Sequence, residues 1–460
     1  MTRRRKGLVL ALAVAAAAAI IAWLLPTPLD TRYNGAYRLD DGRLVLIIAR
    51  DGKNLRYEML SGESRMLWAR GGRSYESGPG WRDREPVSLR LTFAVGADGR
   101  PVGFTWARLG EPVVHATRLA LPEIPFTFER DGLRFRGRLV SPLGPPPYPA
   151  VVIAHGSEED SAVDRYYEPY LFASMGIAAA VFDKRGTGGS EGRYTQNFVT
   201  LARDLEAAVG WVRSRPEIDP DRIHLAGYSQ GGWVAPLAAA RGGHIRSLLI
   251  NYGPMVPVFD EDRWGYVYAL RQKGFGEQDL READRINRTL ALIVDRRENR
   301  WSDLGHQLAS AREAAWFNAI KGSDSVLGFV AQSPMPLWTV RLYAWWKLDF
   351  LRREPFCDRL YDPVPTLASL RKTPSLWIFG GRDQSMPSEW SLEKLEDLRS
   401  QGLPIQTRLF PDADHGILRV ELTPNADRRV LGYEPGYFMT QVNWLREQSG
   451  LPTTAPTSLR

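Results

Sequence analysis

Cysteine is almost missing from this chain: Cys357 is the single one in 460 residues. An internal disulfide and any cysteine-based metal site are thereby excluded, although the compartment stays open, because a cysteine-poor exported protein looks the same. Lysine is scarce too. Only 8 of the 60 basic residues are Lys; the 52 Arg are scattered among 53 acids, apart from one cluster at the start. A net charge of +7 spread in this way makes no polyanion-binding face, so no nucleic-acid partner is expected. No repeat longer than a hairpin is present. What is there is ordinary globular material: 44% hydrophobic, 25% charged and 11% aromatic residues, with length for two to four domains.

Residues 1–26 read as an export segment. Arg3, Arg4, Arg5 and Lys6 precede an unbroken apolar run from Leu8 to Leu25, closed by Pro26. Eighteen residues at a rise of ~1.5 Å give about 27 Å, near the thickness of a bilayer's hydrocarbon core. Basic residues before the run predict a cytosolic N-terminus and a translocated remainder, periplasmic in a Gram-negative cell. Bulky Trp23, Leu24 and Leu25 follow the small residues Ala15–Ala19, which favours a retained signal anchor over a cleaved signal peptide. The membrane is thus an expected partner through this segment.

Residues 30–122 predict a small all-β domain, a meander or partial barrel. Short alternating runs are separated by Asp41-Gly42, Asp51-Gly52 and Asp98-Gly99, pairs that favour tight hairpin turns. From Phe126 strands and helices alternate, with continuous apolar strands such as Ala150–Ala154, as a parallel sheet buried on both faces requires. The expected α/β core covers 126–254 and 366–449, and an aromatic-rich helical insertion, 255–365, interrupts it. Residues 450–460 are expected to form a disordered tail.

The chemistry concentrates at strand ends. Gly227-Tyr228-Ser229-Gln230-Gly231 fits G-x-S-x-G between an apolar strand and a helical run. A strand turning sharply into a helix forces the central Ser into a strained backbone and leaves no room for side chains at the flanking positions. Ser229 then sits at a helix N-terminus, where free N–H groups favour a developing anion, so Ser229 is the candidate nucleophile. It needs a base, and the base needs a carboxylate. Of six histidines, His415 in Phe410-Pro-Asp-Ala-Asp-His-Gly416 follows a strand as required. His224 lies inside a strand, and His115, His244 and His306 lie in unsuitable places. Asp383, after Ser375–Phe379 and two glycines, is the candidate acid, with Asp414 the alternative. Gln230 N–H and Ser157 N–H, the latter in His155-Gly156-Ser157, are the candidate oxyanion donors.

Together, His155–Ser157, Asp183–Ser190, Gly227–Gly231, Gly380–Asp383 and Asp414–Gly416 resemble the α/β-hydrolase superfamily. Within it the chain is similar to bacterial serine hydrolases of the prolyl-oligopeptidase-like, serine-aminopeptidase-like and dipeptidyl-peptidase-like groups. The Asp183–Ser190 run lacks the Gly-Lys-Ser/Thr ending of a phosphate loop and reads as a structural turn. The resemblance implies a mostly parallel sheet flanked by helices, and a helical cap that covers Ser229 and lines an apolar acyl pocket. The expected activity is hydrolysis of a carboxylic ester without cofactor or metal. A short peptide or amide is the second reading, and an inactive scaffold used for binding is the alternative of another class.

Overall fold

A computed structural model describes residues 28–453 apart from 295–297, 324, 334–335, 346–356, 358 and 423–427. The expected anchor, residues 1–26, and most of the expected tail lie outside the described residues. Among the described residues no helix is long and apolar enough to cross a membrane.

The first domain closes on itself. Strands β1 (Gly35–Leu39), β2 (Leu44–Asp51), β3 (Asn54–Met59), β4 (Ser64–Gly71), β5 (Ser74–Ser77), β6 (Leu89–Val95), β7 (Pro101–Arg108) and β8 (Val114–Arg118) form a closed barrel. Closure comes from β8 pairing antiparallel with β1, Tyr37 lying opposite Arg118, so the barrel is complete where the sequence pattern offered a meander or partial barrel. The inward residues of β6, Leu89, Leu91 and Phe93, are buried while Arg90, Thr92 and Ala94 are exposed, the period-2 alternation of a strand with one wet face. Tyr37, Tyr57, Phe93, Phe104 and Trp106 fill the interior. Strand β2 is buried on both faces, because Leu44, Leu46 and Ile48 turn outward onto the second domain.

That domain is an eight-stranded sheet of β9 (Glu123–Arg130), β10 (Leu133–Val140), β11 (Tyr148–Ala154), β12 (Ala178–Phe182), β13 (Ile218–Tyr228), β14 (Leu248–Asn251), β15 (Ser375–Gly380) and β16 (Ile405–Phe410). Its order is β16-β15-β14-β13-β11-β12-β10-β9. The pairs from β12 to β16 are parallel and the β9–β10–β12 edge is antiparallel. Val152 and Ala154 pack against the helix Phe198–Arg213 on one face, while Val151 and Ile153 pack with Glu168–Ser174 and Tyr437–Gln448 on the other. Burial on both sides explains the unbroken apolar runs.

Between β14 and β15 the chain leaves the sheet to build the cap, beginning with the helices Val258–Gln272 and Glu277–Val294. Trp264, Tyr266, Trp316 and Phe317 are buried in the cap's own cluster, so these aromatics build the cap core, in contrast to the expected pocket lining. A small sheet not expected from the sequence, β17 (Ala413–Asp414), β18 (Leu418–Leu422) and β19 (Arg428–Tyr433), follows β16. It is braced against the barrel: Tyr433 N–H donates to Gly62 O at 2.8 Å, and the Tyr433 ring meets Trp81 edge-on at 5.8 Å.

Candidate active site

The strand β13 ends at Tyr228 and the helix Gly231–Arg241 begins three residues later, with Ser229 at φ 51° between them. A non-glycine residue in the left-handed region is strained and persists only where its surroundings over-determine it. Here they do. A Cβ at Gly227 would lie 2.4 Å from Gly231 O, and one at Gly231 would lie 2.2 Å from Ala154 O. Ser229 N–H donates to Asn251 O at 3.0 Å, and Ser229 O accepts from Gly232 N–H at 2.7 Å. The hydroxyl is thereby presented above the carboxyl ends of the parallel strands.

His415 sits in the turn between β17 and β18. Its Nε2 lies 3.1 Å from Ser229 Oγ, and its Nδ1 lies 2.8 Å from Asp383 Oδ2. Asp383 is buried beyond β15; its other oxygen, Oδ1, accepts from the N–H groups of Ser385 and Met386, both at 2.9 Å. Asp414 turns away to pair with Arg428. Burial of the His415 ring works against its protonation, but the charge and hydrogen bond of Asp383 outweigh it and raise the pKa to about 9. The Tyr252 ring stands edge-on to the imidazole, centroids 4.9 Å apart. From the cap, Trp264 Nε1–H donates to Asp383 O at 2.9 Å.

The loop after β11 is held group by group. Gly156 N–H donates to Tyr166 Oη at 3.2 Å, Gly156 O accepts from Lys184 Nζ, and Ser157 O accepts from Tyr194 Oη. Among the described residues, no acceptor is assigned to Ser157 N–H or to Gln230 N–H at the head of the helix. Lys184 also reaches Gln230 Oε1 at 2.9 Å, so one buried ammonium ties together the two backbone segments that carry these N–H groups. Burial lowers its pKa to about 8.

His155, buried beneath the loop, takes Lys184 N–H at Nε2 (3.3 Å) and faces Glu158 Oε1 through Nδ1 at 3.2 Å. With Nε2 accepting, Nδ1 carries the proton. Burial raises the Glu158 carboxyl, but hydrogen bonds from His155 and Tyr166 and the charge of Lys184 bring it down to about 2. His224 is buried between Ser247 Oγ and Ser449 Oγ, at 2.8 and 2.9 Å, and is structural. Asp183 accepts from Ser161 Oγ, Val163 N–H and Gly189 N–H, which is the work of a turn. Lys184, Tyr166 and Glu158 were not singled out in the sequence; only Lys184 lay within a conspicuous motif. Among the described residues no group of three or more His, Cys, Asp or Glu is placed to hold a metal.

The model of the X-Pro dipeptidyl-peptidase family, S15, matches residues 131–402, more than half of the chain. The thiohydrolase aneE of Aspergillus aculeatus is 27% identical over 300 residues, which cover 62% of this chain and 83% of that protein. Among solved structures, an esterase of Pyrococcus furiosus aligns at TM-score 0.39 and 18% identity over 64% of this chain and 83% of its own. The acylaminoacyl peptidase of Pyrococcus horikoshii aligns at TM-score 0.41 and 16% identity, over 81% of this chain and 52% of its own.

Proposed function

This chain belongs to the X-Pro dipeptidyl-peptidase (S15) family, an α/β-hydrolase family of enzymes, and from that premise we propose that it is a serine hydrolase cleaving a carboxylic ester through Ser229, His415 and Asp383. The observation that carries the reading is the unbroken chain from a strained serine to a histidine to a buried carboxylate, 3.1 and 2.8 Å long in its two links.

In this reading Ser229 Oγ attacks the acyl carbon as His415 Nε2 takes its proton. Asp383 keeps the Nδ1 proton in place and balances the charge on the imidazolium. The carbonyl electrons move onto oxygen, where Ser157 N–H and Gln230 N–H stabilise the tetrahedral anion. Collapse expels the alcohol with the proton from His415 and leaves an acyl-serine. Water, deprotonated by the same imidazole, then releases the acid and restores the serine. Every step uses side chains and backbone of this chain. Hydrolysis of a short peptide or amide is the second reading, favoured by the family's peptidase name.

Fluorophosphonate labelling of wild type and Ser229→Ala tests the nucleophile; labelling that survives the substitution rejects it. Comparing p-nitrophenyl acyl esters with aminoacyl- and prolyl-anilides decides the substrate class, and faster anilide turnover replaces the ester reading with the peptide one. The enzyme is further proposed to be exported and held at the membrane by residues 1–26, supported by Arg3–Lys6 and the apolar run Leu8–Leu25. A mature protein fully extracted by carbonate would overturn that placement.

A further inference from the structure

A cavity of about 470 Å³ lies where the barrel meets the hydrolase domain. One end is formed by Glu158, Tyr252 and Gly416, beside the triad: Tyr252 packs on His415, Gly416 follows it, and a Cβ at Gly156 would touch both Glu158 Oε2 and Ser229 Cβ, at 2.5 and 3.4 Å. The other end belongs to the barrel and presents Arg56, Trp81 and Arg82. The Arg56 guanidinium is stacked 3.7 Å over the Trp81 ring and hydrogen-bonded to Ser64 Oγ at 3.3 Å. Only 3% of the residue is exposed; among the described residues it forms no direct ion pair, and the charge of Glu58, which pairs with Arg50 at 3.6 Å, offsets its burial in part.

Burying a guanidinium without a counter-ion is costly, and a guanidinium cannot escape by losing its proton. The neighbouring acids relieve it in part. Glu58 is shared with Arg50 at 3.6 Å, and burial pushes its carboxyl up against the charges of Arg56 and Arg50; burial pushes the Glu168 carboxyl up to about 8. Glu158 is engaged by His155 and Tyr166. Asp160 is taken by Arg165 at 3.4 Å, and Asp51 stands exposed at the rim. Arg56 and Arg82 thus place positive charge on the barrel wall of the cavity, with an aromatic platform beneath Arg56.

We propose that this cavity receives a carboxylate carried by the substrate at a distance from the scissile bond, so that the preferred substrates are acyl compounds with a free acid group, of which monoesters of dicarboxylic acids are the simplest. The barrel is then the specificity module of the enzyme. The inference rests on Ser229 being the nucleophile, since the cavity matters to catalysis through its position beside that residue.

The test compares mono-p-nitrophenyl glutarate with p-nitrophenyl valerate, and 4-(butyryloxy)benzoate with phenyl butyrate, so that the free acid sits on the acyl side or on the alcohol side. Wild type should favour the anionic member of at least one pair in kcat/KM. Arg82→Ala, at an exposed position, and Arg56→Gln should each cut that preference about 10- to 100-fold, chiefly through KM. Equal use of both members in both pairs by wild type, or a preference that survives both substitutions, overturns the proposal. Calorimetric binding of monophenyl glutarate and phenyl valerate to Ser229→Ala, with and without Arg82→Ala, separates the two readings. Arg82-dependent binding of the acid to Ser229→Ala, with wild type turning over no ester, leaves the carboxylate site but rejects Ser229 as an ester-cleaving nucleophile, and with it the substrate preference proposed here; turnover of neutral esters by wild type without any such binding keeps the nucleophile and overturns the carboxylate site.

Discussion

Replacing Asp383 by Asn exchanges one oxygen for an NH₂ group, and the surroundings decide where that group must go. Oδ1 accepts from two backbone N–H groups, those of Ser385 and Met386, each at 2.9 Å. An amide nitrogen cannot accept them, so the Asn oxygen stays at that position and the NH₂ group takes the place of Oδ2, facing His415 Nδ1. The imidazole must then accept at Nδ1 and carry its proton on Nε2, where it can no longer take the Ser229 proton. The charge is lost as well. A pKa lifted from 6.5 to about 9 corresponds to about 3 kcal/mol in favour of the imidazolium, on a ring whose side chain is 29% exposed. That loss alone is about 100-fold in rate, and the wrong tautomer brings the expected fall in kcat to about 10³–10⁴-fold. The assay is steady-state ester hydrolysis across pH 5–10 on a variant whose circular dichroism matches wild type. The pH limb of kcat/KM should also move below 6.5, because burial still acts on the ring while the carboxylate does not. A folded variant losing less than tenfold, or a limb that stays where it was, refutes the reasoning.

The wild-type limb carries its own expectation. His415 must be neutral to act as a base, so kcat/KM should rise with pH through an apparent value above 6.5 and towards 9. Its contribution to stability has the opposite course: with the folded pKa above the unfolded one, it is full below about 6.5 and is lost as pH rises through about 9, measurable by urea denaturation at several pH values. Lys184→Met should lower kcat about 10- to 100-fold with KM nearly constant, because the tie between Gly156 and Gln230 is cut while the ground-state contacts remain; a change confined to KM would contradict this. Gly231→Ala should destabilise the fold by about 2 kcal/mol or more in urea titration, since the new methyl meets the Ala154 carbonyl at 2.2 Å.

Local features of the sequence carried the α/β architecture and the candidate triad residues. Tight turns at strand ends have their own chemistry, so Gly227–Gly231, Gly380–Asp383 and Asp414–Gly416 could be read one segment at a time. What escaped was set by partners distant in sequence. Barrel closure depends on Tyr37 meeting Arg118, and no local pattern announces that pairing. Lys184 looked like part of a turn, and its role at the site comes from Gly156 and Gln230, 28 and 46 residues away. Trp264, Tyr266, Trp316 and Phe317 have the right composition for a pocket, yet the apolar surface of neighbouring cap helices buries them together. The cavity draws one wall from each domain, so neither stretch of sequence reveals it.

The hairpin β18–β19 ties the barrel to the histidine. His415 hangs from the turn that enters this small sheet, and the sheet's far strand is hydrogen-bonded to the barrel through Tyr433 and Gly62. The barrel is therefore no detachable appendage. A hydrolase domain cut free of it would keep the elbow at Ser229 but lose the outside support for His415, so grafting this barrel onto a relative, or removing it, amounts to repositioning the proposed base.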